Sequence, residues 1–502
     1  MNKKQNYNRS AGVLMPIPML HGAFGIGNLG QEAMDFIDFL KNSGFHAWQV
    51  LPVEQTGSCF SPYKCISTYA GEPMLIDPRG LLEMGLITED ELSARAEDIR
   101  EDSIDYDAVY KKQWALLAMA FNRLEGKPYA KFAPFWLEEY ALYMAIKMQN
   151  HGTPWFAWED EGLRSHAPAA IKAAKKQLAQ QIAFYKFVQW LFDVQWRKLK
   201  QYAAKQGIAI VGDIPIYVSE DSVEVWSKRD LFDADASGKF PAVGGAPPDY
   251  FAPEGQRWGN PIYNWKRLKD EGYEWWINRV RAAIDRYDMV RLDHFRGFDR
   301  YWQIPFNCAS GKDGKWVKGP GMPLFDALQK AIGDLPLIAE DLGADIGEGV
   351  ETLLNKTGIR GMRVLQFGFD GDGQHLPHSF TPDRIVYTGT HDNTTLLAWL
   401  FELPADKREQ ALFYIGFEGD WTIGGVNSPI IQAWIRTLFM SAASLVIVPI
   451  QDLLGYGADT RTNTPGTVTG NWRFRIRTGA IEQINSAFYR DLSVAYARDN
   501  QV

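Results

Sequence analysis

A chain of 502 residues has room for three domains of about 150 residues, or for one α/β barrel swollen by loop insertions. Its 46% hydrophobic and 23% charged residues are those of a globular protein and exclude wholesale disorder. Lys+Arg 53 against Asp+Glu 61 gives a net charge of −8 with no polybasic block, so neither nucleic acid nor an anionic membrane is the expected partner.

Along the chain, short apolar runs that end in a polar residue alternate with helical patterns. The basic start is followed by a run that Pro16 and Pro18 interrupt, so no signal peptide is expected. An amphipathic helix carrying Phe36, Ile37, Phe39 and Leu40 leads into the first run, residues 45–51. A shorter run at 73–77 reads as a weak second strand. A Trp-rich helical stretch from Tyr110 to Tyr202 then precedes the run at 208–213, its last helix carrying Phe184, Phe187, Trp190, Leu191, Val194 and Leu199. A polar, aromatic segment from Val218 to Trp265 separates that run from the next, at 289–293. Runs at 336–340, 362–367 and 384–388 follow, and residues 438–450 read as a buried helix end feeding a last strand at 445–450. No stretch reaches the roughly 18 apolar residues of a membrane-spanning helix.

Strand–helix alternation implies right-handed parallel βαβ units, and seven or eight of them predict a closed (β/α)8 TIM barrel of the α/β class. We expect one catalytic domain over residues 1–502. Insertions fall at about 78–200, as a helical subdomain, and at about 218–265, as an aromatic lid loop, both on the C-terminal face. About fifty residues follow the last strand, enough to finish the barrel and too few for a C-terminal β-sandwich domain. Three cysteines, Cys59, Cys65 and Cys308, make no disulfide framework and share no metal-finger spacing; a cytoplasmic location fits them. With 18 Trp, 21 Tyr and 28 Phe the chain is well supplied with rings that stack on flat, hydroxyl-edged ligands such as sugars.

Barrel chemistry sits at the C-terminal ends of the strands, where Asp213, Asp293, Glu340 and, just past the seventh strand, His391-Asp392 fall. In Arg291-Leu292-Asp293, alternation points Arg291 and Asp293 the same way. The pair suits either an ionised carboxylate nucleophile or a structural ion pair at a strand end. Glu340 follows a strongly apolar strand; beside an ionised Asp293, repulsion and desolvation would raise its pKa toward that of a general acid. Asp341 reads as a helix N-cap, and Asp392 and Asn393 can also be read as caps of a following helix. Three acids on different strand ends of one barrel form a more specific signal than any of them alone. Glycoside cleavage uses two carboxyl groups about an oxocarbenium-like transition state.

The segments Arg291-Leu292-Asp293-His294-Phe295, Ala339-Glu340-Asp341-Leu342-Gly343 and Thr390-His391-Asp392-Asn393 resemble those of glycoside hydrolase family 77, the 4-α-glucanotransferases of the α-amylase clan. The resemblance extends to Gly25-Ile26-Gly27-Asn28-Leu29-Gly30, Ser61-Pro62-Tyr63, Gly212-Asp213-Ile214-Pro215, Pro247-Pro248-Asp249-Tyr250-Phe251, Gln256-Arg257-Trp258-Gly259-Asn260 and Asn463-Thr464-Pro465-Gly466, covering nearly the whole chain. It implies Asp293 as nucleophile, Glu340 as acid/base and Asp392 as the carboxylate that binds ring hydroxyls and stabilises the transition state. Arg291, His294 and His391 would contact the donor sugar, and Asp213 and Tyr63 would line the same subsite. Ser61, Asp249, Tyr250, Trp258 and Asn463 complete the implied substrate-binding set, with residues 249–258 as a mobile lid. No cofactor and no catalytic metal are implied; the partners are α-1,4-glucans and maltooligosaccharides. The implied reaction moves an α-1,4-glucan segment from a donor to the 4-hydroxyl of an acceptor by retaining double displacement through a glycosyl-enzyme. Three departures from the family pattern, Cys59-Phe60 before Ser61, Glu72, and Ala252-Pro253-Glu254 in the lid, leave the three acids untouched and bear on acceptor subsites and lid mobility.

Other readings have less support. Gly25-Ile26-Gly27-Asn28-Leu29-Gly30 matches a dinucleotide-binding pattern, with Glu54 as a ribose acid, but that motif needs a strand immediately before it, and Pro16 and Pro18 make a poor one. His375 and His378 flank Pro377 and read as solvated loop histidines rather than a metal pair. A non-catalytic glucan-binding protein would have no need of three strand-end acids. An α-glucan hydrolase is the nearest enzymatic rival.

Overall fold

The structure, a computed structural model, describes residues 8–96, 100–235, 239–248, 252–343, 347–369, 371 and 373–500. Among them, twelve strands fall into two sheets. In chain order they are β1 (Ser10–Leu14), β2 (Ala47–Gln49), β3 (Ala209–Ile214), β4 (Ala242–Ala246), β5 (Gln256–Pro261), β6 (Met289–Leu292), β7 (Arg300–Pro305), β8 (Lys315–Lys318), β9 (Leu337–Ala339), β10 (Arg360–Val364), β11 (Arg384–Tyr387) and β12 (Leu445–Pro449). Eight of these close a barrel in the order β1-β12-β11-β10-β9-β6-β3-β2, and every neighbouring pair is parallel.

The strand runs read as continuously apolar because a barrel strand is covered on both faces. Leu14, Ala47, Val211, Met289, Ile338, Met362, Ile385 and Ile447 pack into one another as an inner cluster. The residues beside them, among them Val13, Trp48, Ile210, Val290, Ala339, Val386, Val446 and Val448, pack outward with the helices. That alternation decides the site, because Asp213 shares the inner face with Val211, Arg291 with Met289, and Glu340 with Ile338.

The expected helices form. The first spans Gln31–Asn42, and the long one spans Ala179–Gln206. The latter stops at Gly207, whose φ of 76° supplies the left-handed C-cap; Gly207 and Ile208 donate back to Ala204 and Ala203, and β3 starts at once. The helix Pro429–Met440 feeds β12 as anticipated. No helix among the described residues is long and apolar enough to cross a membrane.

Two features differ from the sequence expectation. The run at 73–77 is not a strand. Pro73–Leu75 is a 3-10 turn whose Met74 N–H is accepted by the Glu72 side chain, and Asp77 caps the helix Pro78–Glu83. The missing strand is β1, whose Ser10, Ala11 and Gly12 leave Val13 as its one β-branched residue. Small size is what the barrel needs there: a Cβ on Gly12 would lie 2.6 Å from the Ala47 Cβ and 2.9 Å from Ile447 Cδ1. The chain leaves β1 through a 3-10 turn, Ile17–Met19, so the glycine motif at 25–30 does not directly follow a strand. Its glycines serve packing instead: a Cβ on Gly27 would lie 1.9 Å from the Ile17 carbonyl oxygen, and one on Gly30 would lie 2.1 Å from Asp77 Oδ2.

The second sheet, ordered β5-β4-β7-β8 and antiparallel throughout, was not foreseen. Two segments build it, one from the β3–β6 connection and one from the β6–β9 connection. β4 (Ala-Val-Gly-Gly-Ala) and β5 (Gln-Arg-Trp-Gly-Asn-Pro) lack the alternation that marks a strand, and they pair only because the barrel brings the segments together.

The C-terminal segment seals the seam between β1 and β12. Arg498 is fully buried, and its guanidinium donates to the carbonyls of Phe439 (2.8 Å), Ser10 (3.1 Å), Ala443 (3.0 Å) and Ser441 (3.0 Å). Burial lowers its pKa to about 9. Arg498→Ala removes a donor shared by four buried carbonyls, of which Ser441 and Phe439 keep Arg9 at 2.7 and 2.9 Å, and should lower unfolding free energy by about 2–4 kcal/mol. Denaturant titration checks this, and a loss below about 0.5 kcal/mol would mean that water replaces the clasp.

Candidate active site

Arg291 organises the mouth of the barrel. Paired in register with Asp213 of β3, it sits on β6 almost wholly buried. One guanidinium nitrogen lies 2.6 Å from Asp213 Oδ2 and the other 3.0 Å from Asp293 Oδ1. The Tyr63 hydroxyl donates to the same Asp213 oxygen at 2.7 Å. Burial opposes charge on Arg291, but its attraction to Asp213 and Asp293 prevails and the pKa is raised. For Asp213 the balance goes the other way. Burial, reinforced by the Asp293 charge, outweighs Arg291 and raises the Asp213 carboxyl.

Glu340 and Asp293 hang on neighbouring backbones that stay bonded beyond the last strand residues. Glu340 N–H donates to the Leu292 carbonyl, Phe295 N–H to the Glu340 carbonyl, and Asp293 N–H to the Ile214 carbonyl, each at 3.0 Å. His294 takes a left-handed φ of 51°, a strained choice for a residue with a Cβ. Its N–H meets Glu340 Oε2 at 2.7 Å, while Leu342 N–H meets Oε1 at 3.1 Å. Burial pushes the Glu340 carboxyl up to about 8; Asp293 adds to the rise, and Arg291 and the two amides oppose it.

The third acid is held from the other side of the mouth. Asp392 lies in the loop after β11; Asn463 Nδ2 donates to its Oδ1 at 2.5 Å and Arg461 to its carbonyl at 2.5 Å. His391 Nε2 lies 3.4 Å from Asp392 Oδ2. The His391 ring stacks on Tyr63, with centroids 5.2 Å apart and planes 17° apart, and Trp472 tilts against both. Burial lowers the His391 pKa and also that of His294, the latter to about 4. Trp258 of β5 meets the His294 ring edge-on at 4.8 Å. Asp213 Oδ1 and His294 Nε2 are buried without a hydrogen-bond partner among the described residues.

The structure thus brings together Tyr63, Asp213, Arg291, Asp293, His294, Glu340, His391, Asp392 and Asn463, with Trp258 against His294. Ser61 shapes the turn that presents Tyr63, its Oγ accepting the Tyr63 N–H at 3.3 Å. Asp249 and Tyr250 lie outside the described residues. The capping alternatives are corrected. Among the described residues Asp341 caps no helix; it accepts the Met362 N–H at 2.6 Å and pairs with Arg363 at 3.1 Å. Thr395, not Asp392 or Asn393, caps the helix after the seventh strand. His375 is more than a solvated loop residue, since its Nδ1 accepts the Val364 N–H at 3.0 Å; exposed His378 bonds the Tyr414 hydroxyl. Glu54 pairs with Arg286 at 2.6 Å, which occupies the acid that a ribose reading needed.

Sequence reasoning missed Arg461 and Trp472, which have no strand or motif to mark them. Trp472 adopts a φ of 65°, a backbone state that only the fold reveals. The departures acquire physical roles. Glu72 is buried and binds the Thr56 N–H and hydroxyl at 2.8 Å each. Phe60 stacks on Tyr106 at 4.6 Å, and Glu254 pairs with Lys312 beside β8.

A closed parallel barrel that presents buried carboxyls and a shared arginine at its strand ends is the architecture of an α/β-barrel enzyme acting at its C-terminal face. Comparison with known proteins narrows the class. Residues 15–481 match the glycoside hydrolase family 77 profile, described as 4-alpha-glucanotransferase. The chain is 42% identical to the 4-alpha-glucanotransferase of Thermus thermophilus, over 98% of this chain and 99% of the other. The amylomaltase of Streptococcus agalactiae, solved in complex with acarbose, superposes with a TM-score of 0.94 at 36% identity, covering 98% of this chain and all of the other. That of Corynebacterium glutamicum, at 19% identity and a TM-score of 0.78 over 98% of this chain and 75% of the other, shares the fold. The chain belongs to the 4-α-glucanotransferase family, glycoside hydrolase family 77.

The coupling of the two acids can be measured. Asp293→Asn removes the like charge beside Glu340, so Glu340 should titrate at lower pH than in the parent. Carbon-13 NMR of glutamate side chains reads the midpoint, and an unmoved midpoint would show that the two carboxyls do not interact.

Proposed function

We propose that this protein transfers α-1,4-glucan segments between maltooligosaccharides by a retaining double displacement. The observation that carries the reading is the environment of Glu340, raised to about 8 beside Asp293, whose carboxylate faces the Arg291 guanidinium. At neutral pH Glu340 holds a proton that it gives to the leaving glycosidic oxygen as Asp293 bonds to the anomeric carbon. The leaving glucan departs as an alcohol. Glu340, now a base, takes the proton from the acceptor's 4-hydroxyl, whose oxygen attacks the anomeric carbon and expels Asp293.

Asp392, His391 and Asn463 on one side, and Arg291, Asp213 and His294 on the other, hold the donor sugar's hydroxyls, with Tyr63 stacking on the same sugar. The unpartnered Asp213 Oδ1 and His294 Nε2 support that role, since a buried polar atom is costly unless something bonds it. Trp258 forms part of a lid, and the chain works as one catalytic unit with its insertions around the mouth. Water and glucan can use the same acids, so water exclusion and acceptor binding favour transfer. The three free thiols suit a cytoplasmic setting.

Maltotriose separates transfer from hydrolysis. Transfer should release glucose and build longer chains with reducing ends nearly constant; a steady rise in reducing ends would establish the hydrolase reading instead. Asp293→Asn and Glu340→Gln should each cost at least about 10³-fold in kcat while remaining folded by circular dichroism.

The pH profile has a definite sign. Because Glu340 must start protonated, kcat/KM should fall as pH rises through about 8. An alkaline limb that persists unchanged in Glu340→Gln would assign it to another group.

A further inference from the structure

We propose that Asp452 is a positioning residue for the transfer reaction, its carboxylate clamping both ends of the loop that carries His391 and Asp392. The inference rests on the reading that Asp392 serves catalysis.

After β12 the chain makes one helical turn, Ile450–Leu453, and Asp452 lies within it, 2% exposed. Its Oδ2 accepts the Thr388 hydroxyl at 2.5 Å, and its Oδ1 accepts the Leu396 N–H at 2.7 Å. Thr388 is the residue after β11, and Leu396 is the first residue of the helix Leu396–Glu402. Everything between them is the loop in question. One carboxylate therefore ties the point where the loop leaves the barrel to the point where it enters the helix. Within the loop, Asn393 Oδ1 accepts the Thr390 N–H at 2.9 Å and hydroxyl at 2.8 Å, and Thr395 caps the helix. The loop is thus closed on itself, and Asp452 sets its placement relative to the eighth strand.

The neighbouring residue anchors the other side of the same acid. Gln451 Nε2 donates to the Thr460 carbonyl at 3.2 Å and the Thr462 hydroxyl at 3.0 Å. These residues flank Arg461, and Asn463 follows, the two side chains that bond Asp392 directly. Two consecutive residues at one strand end thereby set the Asp392 loop and the segment that grips it. A plain helix cap would need only one acceptor for the Leu396 N–H. The second oxygen, spent on Thr388 across the loop, is what makes the contact a clamp. Both partners are donors, so a charged acceptor bonds them more tightly than an amide could. Asparagine at 452 could keep its oxygen on Leu396 and donate its amide to the Thr388 hydroxyl, so it exchanges two charge-assisted bonds for two weaker neutral ones.

Thr388→Val removes one bond at nearly constant volume, and Asp452→Asn weakens both. Each should lower kcat for maltotriose disproportionation by about tenfold to a hundredfold, the cost of a small misplacement of a reacting group. KM should move less than about twofold if Asp392 acts chiefly in the transition state. Repeating both substitutions in an Asp392→Asn background tests the route: with the positioned group already altered, the further loss should shrink to less than about twofold. Full multiplication of the losses would show that the clamp acts through something other than Asp392, and wild-type kcat in Thr388→Val would overturn the proposal outright. Failure of the underlying reading has a different signature, a near-normal kcat in Asp392→Asn itself. Should Asp452→Asn fold poorly, Thr388→Val carries the test alone.

Discussion

Everything at the mouth of this barrel depends on a single buried guanidinium. Moving a carboxylate out of water costs roughly several kcal/mol, and this site brings Asp213, Asp293 and Glu340 into the field of one another. Arg291 makes the arrangement tenable by facing Asp213 and Asp293 with separate nitrogens at 2.6 and 3.0 Å. It does not neutralise the acids equally. Glu340 lacks a direct ion pair with it, and there burial and repulsion prevail, so one carboxyl holds a proton where its neighbour is paired with a cation. The difference between Glu340 and Asp293 follows first from the burial that raises Glu340 and then from the arginine contact that only Asp293 makes of the two.

The second constraint is backbone registry. In-register pairing of Asp213 with Arg291, continued by amide bonds beyond the strand ends, fixes the acids on three adjacent strands. His294 accepts a left-handed backbone so that its amide can reach Glu340. Asp392 is different. It stands on a loop, and its position is assembled from Asn463, Arg461 and the turn after β12. A rigid half and an assembled half therefore meet across the cleft, with the Tyr63–His391 stack at their junction.

Residues that depart from the family pattern fit locally. Glu72 caps a 3-10 turn and holds Thr56, Phe60 stacks on Tyr106, and Glu254 pairs with Lys312 near the second sheet. That sheet draws strands from two barrel connections, so β4 is paired with β7, the strand that follows His294 and its 3-10 turn.

The sequence by itself determined the parallel barrel, because strands covered on both faces must be apolar throughout and the helices between them amphipathic. It determined the acids too, since a polar residue ending an apolar strand can go only to the rim. Tertiary structure alone decided three things. β1 carries only one β-branched residue, Val13, because its glycine faces a crowded barrel interior, and the run at 73–77 looked like a strand because Met74, Leu75 and Ile76 are apolar, although Pro73 presets the turn they form. β4, β5, β7 and β8 exist only as partners of one another. Arg461, Trp472 and Asp452 sit far along the chain from what they hold, and a pattern read over a dozen residues is blind to bonds that span 56 or more. Local periodicity records which face is buried; the identity of the neighbour on that face is a property of the folded chain.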